Sequence, residues 1–187
     1  MPLHIALAGG TGPLGLTILD ELLRQKDGHN IIILSRSVPP TSPPVPTVQV
    51  DYTSPSSLLD TLTTHKIHTV ISTLDTNRSG SAAELALIAA ADACPFTKRY
   101  IPSIWGFPVG ERVLGYLGGV RAKIEVEEAV ERAGLEAGVV YTGCELFPVR
   151  FSAMVLVVEV PSLLVLRPCY GSSLLLGRGD VWCSSFS

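Results

Sequence analysis

The chain alternates between short, wholly apolar runs and longer stretches in which apolar residues return every three or four positions. Residues 3–8 form a short apolar run ending in glycines, and over residues 14–24 Leu14, Ile18, Leu19, Leu22 and Leu23 share one helical face. This predicts strand, turn and helix. Residues 31–34, all isoleucine or leucine, predict a strand buried on both sides, which completes a βαβ unit within about the 30 residues such a unit takes. Five prolines among the ten residues 37–46 exclude regular structure and predict an extended surface loop. The alternation then resumes: residues 48–50 read as a strand, 56–63 as a short helix, 69–73 as a strand and 82–93 as an alanine-rich helix. Residues 99–102 read as a fifth strand, 122–133 as a charged amphipathic helix and 137–141 as a sixth strand. Strands alternating with helices predict an α/β fold, a Rossmann-type doubly wound parallel sheet with helices on both faces.

The pattern fails after residue 151. Only Glu159, Arg167, Arg178 and Asp180 are charged among the last 37 residues, and no helical period appears. One domain over residues 1–150 is therefore expected, followed by an atypical tail over 151–187. The tail reads either as an edge hairpin covering the sheet or as an altered C-terminus.

Composition narrows the function classes. With 187 residues, 47% hydrophobic and 17% charged, the chain has room for a single globular core. A net charge of −3 and the lack of any Lys/Arg stripe argue against nucleic acid as a partner. Cys94, Cys144, Cys169 and Cys183 form no CxxC pair and read as structural thiols of a reducing compartment. His65 and His68 have no accompanying ligands and read as solvated surface, so no metal is expected. The apolar run 153–166 is interrupted by Glu159 and Pro161 and is shorter than the roughly 20 residues of a membrane span. No secretory signal opens the chain, and the expected location is the cytoplasm.

The chemistry sits in Gly9-Gly10-Thr11-Gly12-Pro13-Leu14-Gly15, between the first strand and the first helix. That context makes a glycine pattern a dinucleotide fingerprint: Gly9 permits the tight turn, Gly12 admits the pyrophosphate, and Gly15 allows close packing of helix on sheet. The helix beginning near Pro13 offers its unpaired amides and positive dipole end to phosphate. About 20 residues on, where an NAD enzyme places an acid against the ribose, the chain has Ser35-Arg36-Ser37. Arg36 can pair with a 2′-phosphate in a bidentate manner and Ser35 and Ser37 can donate to the same oxygens, so the expected cofactor is NADP(H).

With these features the sequence resembles the NmrA-like and isoflavone reductase-like branch of the atypical short-chain dehydrogenases. The matching pieces are the glycine turn, Arg36, Val50-Asp51-Tyr52, Val70-Ile71-Ser72, and Lys98-Arg99-Tyr100-Ile101-Pro102-Ser103 followed by Trp105-Gly106. The resemblance implies that Ser72, Thr73, Leu74, Pro102 and Ser103 line the cofactor cleft. It also implies a catalytic lysine shortly before the helix that precedes the sixth strand, and Lys123 falls at that place as proton donor or polariser. On the helical wheel Lys123 lies at the edge of the face formed by Ala122, Val126, Ala129, Val130 and Ala133. From there it either looks into a cleft or is solvated beside Glu127. No tyrosine is followed by lysine four residues later, which removes the usual dehydrogenase alternative. The family commonly has an acidic residue after the Pro-Ser pair, where this chain has Ile104. Family members are longer, and the substrate subdomain, drawn largely from the part after residues 143–147, is expected to be largely missing.

Three functions follow. The first is an NADP(H)-dependent oxidoreductase passing hydride to a small unsaturated or aromatic substrate. The second is a non-catalytic NAD(P)-sensing regulator of the NmrA type, read by a protein partner. The third is a truncated, inactive chain.

Overall fold

A computed structural model describes residues 2–25, 28–38, 43–105, 120–141 and 157–159. Six strands, β1 (His4–Ala8), β2 (Asn30–Ser35), β3 (Thr47–Gln49), β4 (Thr69–Ser72), β5 (Arg99–Ile101) and β6 (Glu136–Ala137), pair in the order β3-β2-β1-β4-β5-β6. Every pair is parallel. The chain first builds outward from β1 to β3, then crosses back to β4 and builds the other way. The reversal between β1 and β4 leaves a crevice at the carboxyl ends of these strands, the place where such sheets bind ligands.

Side-chain alternation along β1 sorts the two layers. Ile5 and Leu7 pack with Ile31 and Ile33 against Ile18, Leu19 and Leu22 of α1 (Pro13–Arg24). On the opposite face Ala6, Ala8, Ile32, Leu34, Val70 and Tyr100 join a second core. That core receives Leu58 and Leu62 of α2 (Pro55–Thr64), Leu87, Ile88 and Ala91 of α4 (Ala82–Ala93), and Val126 and Val130 of α5 (Val120–Arg132). A short α3 (Thr76–Ser79) joins β4 to α4. Each fully buried Leu or Ile contributes about 1.5–3 kcal/mol of transfer free energy. The helix starts follow from local chemistry: Ser54 accepts a hydrogen bond from the Ser57 amide at 3.4 Å, and Pro55 occupies the first turn, where its missing N–H costs nothing.

The sixth strand differs from expectation. Residues 137–141 read as one strand, whereas the chain divides at Gly138: β6 pairs with β5, and β7 (Val139–Tyr141) pairs antiparallel with β8 (Val157–Glu159). The cause lies in β5, which stops before Pro102, a residue with no N–H to continue a ladder. Gly138 makes the last bond to it, donating to the Tyr100 carbonyl at 3.1 Å. Apart from β8, the tail 151–187 lies outside the described residues, as do Cys144, Cys169 and Cys183.

His65 and His68 are half-buried rather than fully solvated. The His65 carbonyl is 3.0 Å from the His4 ring, and the His68 ring is 2.9 Å from the Thr69 hydroxyl. Both lie at the amino ends of the strands, away from the crevice. Cys94 is buried with a free thiol. Among the described residues, no helix is long and apolar enough to cross a membrane.

Candidate functional site

The glycine turn has the geometry its sequence requires. Gly9 sits at φ +73°, a region costly for any residue with a Cβ, and a Cβ there would meet the Thr73 carbonyl and hydroxyl at 2.8 Å. At Gly15 a Cβ would lie 2.6 Å from the Gly10 Cα and from the Gly9 carbonyl oxygen. Gly15 thus seats the first turn of α1 against the loop itself. Gly12 differs, since a Cβ there would meet only the Gly9 carbonyl, at 3.4 Å. Its lack of a side chain leaves space open in front of the helix. Gly12 caps α1 with no side-chain hydrogen bond, no acidic residue stands in the first turn, and Pro13 follows. The positive helix end is left for an anion. Thr11 and Leu14 are half-buried and Pro13 exposed on this rim.

On the β2 side one carbonyl ties three segments together. The Leu34 carbonyl accepts from the Gly9 amide and from the Tyr52 hydroxyl, each at 3.1 Å. Tyr52 is buried, and burial pushes its hydroxyl well above the ordinary tyrosine value, with the carboxyl of Glu84 adding to the effect. Next along, the Val50 amide donates to the Ser35 carbonyl at 2.9 Å, and the Gln49 side-chain amide donates to the Arg36 carbonyl at 3.1 Å. Ser35 is half-buried and Arg36 exposed, both at the carboxyl end of β2.

On the far side of the turn stand the ends of β4 and β5. The Thr73 amide and hydroxyl both donate to the Ala8 carbonyl, at 2.9 and 2.8 Å, pinning this segment beside Gly9. Ser72 is fully buried, its hydroxyl donating to Glu84 at 2.5 Å, so this side chain is turned to the core. The Ser103 hydroxyl donates to the Leu74 carbonyl at 2.7 Å, and Pro102 is buried beside it. Thr73, Leu74, Pro102 and Ser103 thus follow the carboxyl ends of β4 and β5, whereas the Ser72 side chain, expected to line the cleft, points into the core because its hydroxyl is taken by Glu84.

Lys123, on the first turn of α5, is half-buried and donates to the Trp105 carbonyl at 2.8 Å. The Trp105 indole N–H in turn donates to the Ser72 carbonyl at 2.7 Å. Lys123 thus reaches the segment that follows β5 through the Trp105 carbonyl. Tyr52, Gln49, Glu84 and Trp105 also shape the site. The available signals were slight: Glu84 is one of only two charged residues within α4, and Trp105 follows the Pro-Ser pair by two positions. Among the described residues no group of three or more His, Cys, Asp or Glu is gathered for a metal ion.

No protein-family model matches the chain. Over 113 residues it is 36% identical to oxidoreductase BOA1 of Botryotinia fuckeliana, covering 58% of this chain and 37% of that protein. Over 102 residues it is 32% identical to oxidoreductase swnN of Metarhizium robertsii, covering 53% of this chain and 30% of that protein. Among solved structures, the binary complex of leucoanthocyanidin reductase with NADPH from Vitis vinifera matches with a TM-score of 0.60 and 25% identity. That match covers 75% of this chain and 47% of the reductase. The chain spans roughly a third of the length of these curated relatives and under half of the reductase. Over the shared part it has the Rossmann-type fold of NAD(P)-binding reductases.

Proposed function

We propose that the chain carries the NADP(H)-binding portion of an oxidoreductase that reduces a small unsaturated or aromatic substrate. The observation carrying this reading is the glycine turn set at the β1/β4 reversal, with Gly12 open before an uncapped helix end and Arg36 at the end of β2. The fit is chemical as well as spatial. A pyrophosphate would lie against the α1 amides, and a 2′-phosphate would meet the Arg36 guanidinium, with no carboxylate in the Ser35-Arg36-Ser37 segment to oppose it. The solved NADPH complex of the structural neighbour and the names of both curated relatives support the same reading.

NADPH, when bound, supplies the hydride. The remaining work falls to the protein. The Thr73 and Leu74 backbone and the Pro102-Ser103 pair form the wall of the cleft beyond the turn, positioned by the bonds to Ala8 and Leu74. Lys123 is the residue proposed to polarise the substrate and give it a proton, its ammonium held at the mouth of this wall by the Trp105 carbonyl.

The test is NADPH oxidation by the full-length protein across a panel of aromatic alkenes and carbonyl compounds. With a substrate in hand, Lys123→Ala should abolish turnover, at least about 100-fold, the low end for a positioned proton donor. NADPH binding should be unchanged. Full turnover in the variant would overturn the role given to Lys123.

A further inference from the structure

Glu84 is the one carboxylate of α4 that faces the sheet, and it is fully buried. Both of its oxygens accept hydrogen bonds. One accepts from the Tyr100 hydroxyl at 3.0 Å and from the Ser103 amide at 3.1 Å; the other accepts from the Ser72 hydroxyl at 2.5 Å. Burial pushes this carboxyl above the ordinary glutamate range, and the bonds from Ser72, Ser103 and Tyr100 pull the other way. Tyr100, itself fully buried, is raised by burial and by Glu84.

The two serines lead directly to the cleft. The Ser72 hydroxyl lies 3.4 Å from the Leu74 amide as acceptor, and the Ser103 hydroxyl donates to the Leu74 carbonyl at 2.7 Å. Both polar groups of Leu74 are thus held by serines that Glu84 holds. The Ser72 carbonyl also receives the Trp105 indole, whose own carbonyl receives Lys123. A carboxyl that only filled the core would need partners, but not partners on two separate cleft segments. On the opposite side of the turn, Tyr52 and Gln49 give their hydrogen bonds to the Leu34 and Arg36 carbonyls and fix the β2 and β3 ends, although Tyr52 feels the charge of Glu84.

We propose that Glu84 is a positioning residue that clamps the ends of β4 and β5 and thereby sets the half of the cleft that receives the nicotinamide, leaving the adenosine half to the β2–β3 side. The assignment rests on the NADP(H) reading above and on the division of the crevice at the strand reversal.

The experiment compares two ligands. Adenosine 2′,5′-bisphosphate occupies only the adenosine half, while NADPH spans both. In the full-length protein, Glu84→Leu should weaken NADPH at least tenfold while changing the bisphosphate less than twofold. Glu84→Gln, which keeps an acceptor for Tyr100 and Ser103, should stay within threefold for both. Tyr100→Phe removes one arm of the clamp and should weaken NADPH alone, by a smaller factor; it decides the matter if the leucine variant does not fold. Equal losses on both ligands, or no loss on either, would overturn the clamp while leaving the cofactor site standing. A wild-type protein that binds neither ligand would overturn both readings.

Discussion

Three glycines of one turn do different work, and their substitutions should separate folding from binding. Gly15→Ala forces a Cβ to 2.6 Å from backbone atoms that belong to the turn, so it should destabilise the protein by about 1–3 kcal/mol in denaturant unfolding and weaken NADPH as well. Gly12→Ala meets nothing closer than 3.4 Å, so its unfolding midpoint should match wild type while NADPH affinity falls at least tenfold. A Gly12→Ala protein that binds normally would mean that no phosphate approaches there. Tyr52→Phe should cost about 1 kcal/mol, the loss of one net hydrogen bond to the Leu34 carbonyl. Gly9 and Gly15 were legible because a βα turn dictates where a Cβ cannot stand. Gly12 was legible for its openness. Tyr52 appeared in the sequence only as part of a resemblance, because its partner carbonyl lies 18 residues away and no local pattern encodes that pairing.

At the scale of elements, apolar runs and helical periods located all of the first five strands and the helices α1, α2, α4 and α5 to within a few residues. Buried parallel strands need continuous apolar runs, and helices packed on one side need a stripe, so both constraints are written locally. The division of 136–141 into β6 and β7 was not, because it depends on Pro102 of a neighbouring strand ending the ladder. The role of α4 was equally hidden: its alanines predicted a helix, but Glu84 gains its three donors from residues 12 to 19 positions away. That burial makes a pH prediction. The folded-state value of Glu84 is raised, so its contribution is fully present at pH below the unfolded glutamate value and is lost as pH rises through the folded one. Glu84→Gln, which cannot ionise, should therefore gain in melting temperature relative to wild type as pH is raised above the ordinary value of 4.5. A difference that shrinks or stays flat over that range would show that the carboxyl is not destabilised by ionisation in the folded state.

At the scale of the molecule, the fold is a two-sided sheet whose strand order reverses beside the glycine turn, and the segments that follow β1, β2, β4 and β5 meet at the carboxyl edge of that reversal. The four histidines lie at the other edge, remote from it. The central claim is that this edge binds NADP(H), with Arg36 selecting the 2′-phosphate. Its most direct test is titration of the protein with NADPH and with NADH, following nucleotide fluorescence, for wild type and Arg36→Ala. The account predicts tighter binding of NADPH by wild type, a loss of about 10–150-fold in the variant, as for a charge-assisted hydrogen bond worth about 1.5–3 kcal/mol, and little change for NADH. Equal affinity for the two nucleotides, or an Arg36→Ala protein that still prefers NADPH, would contradict it.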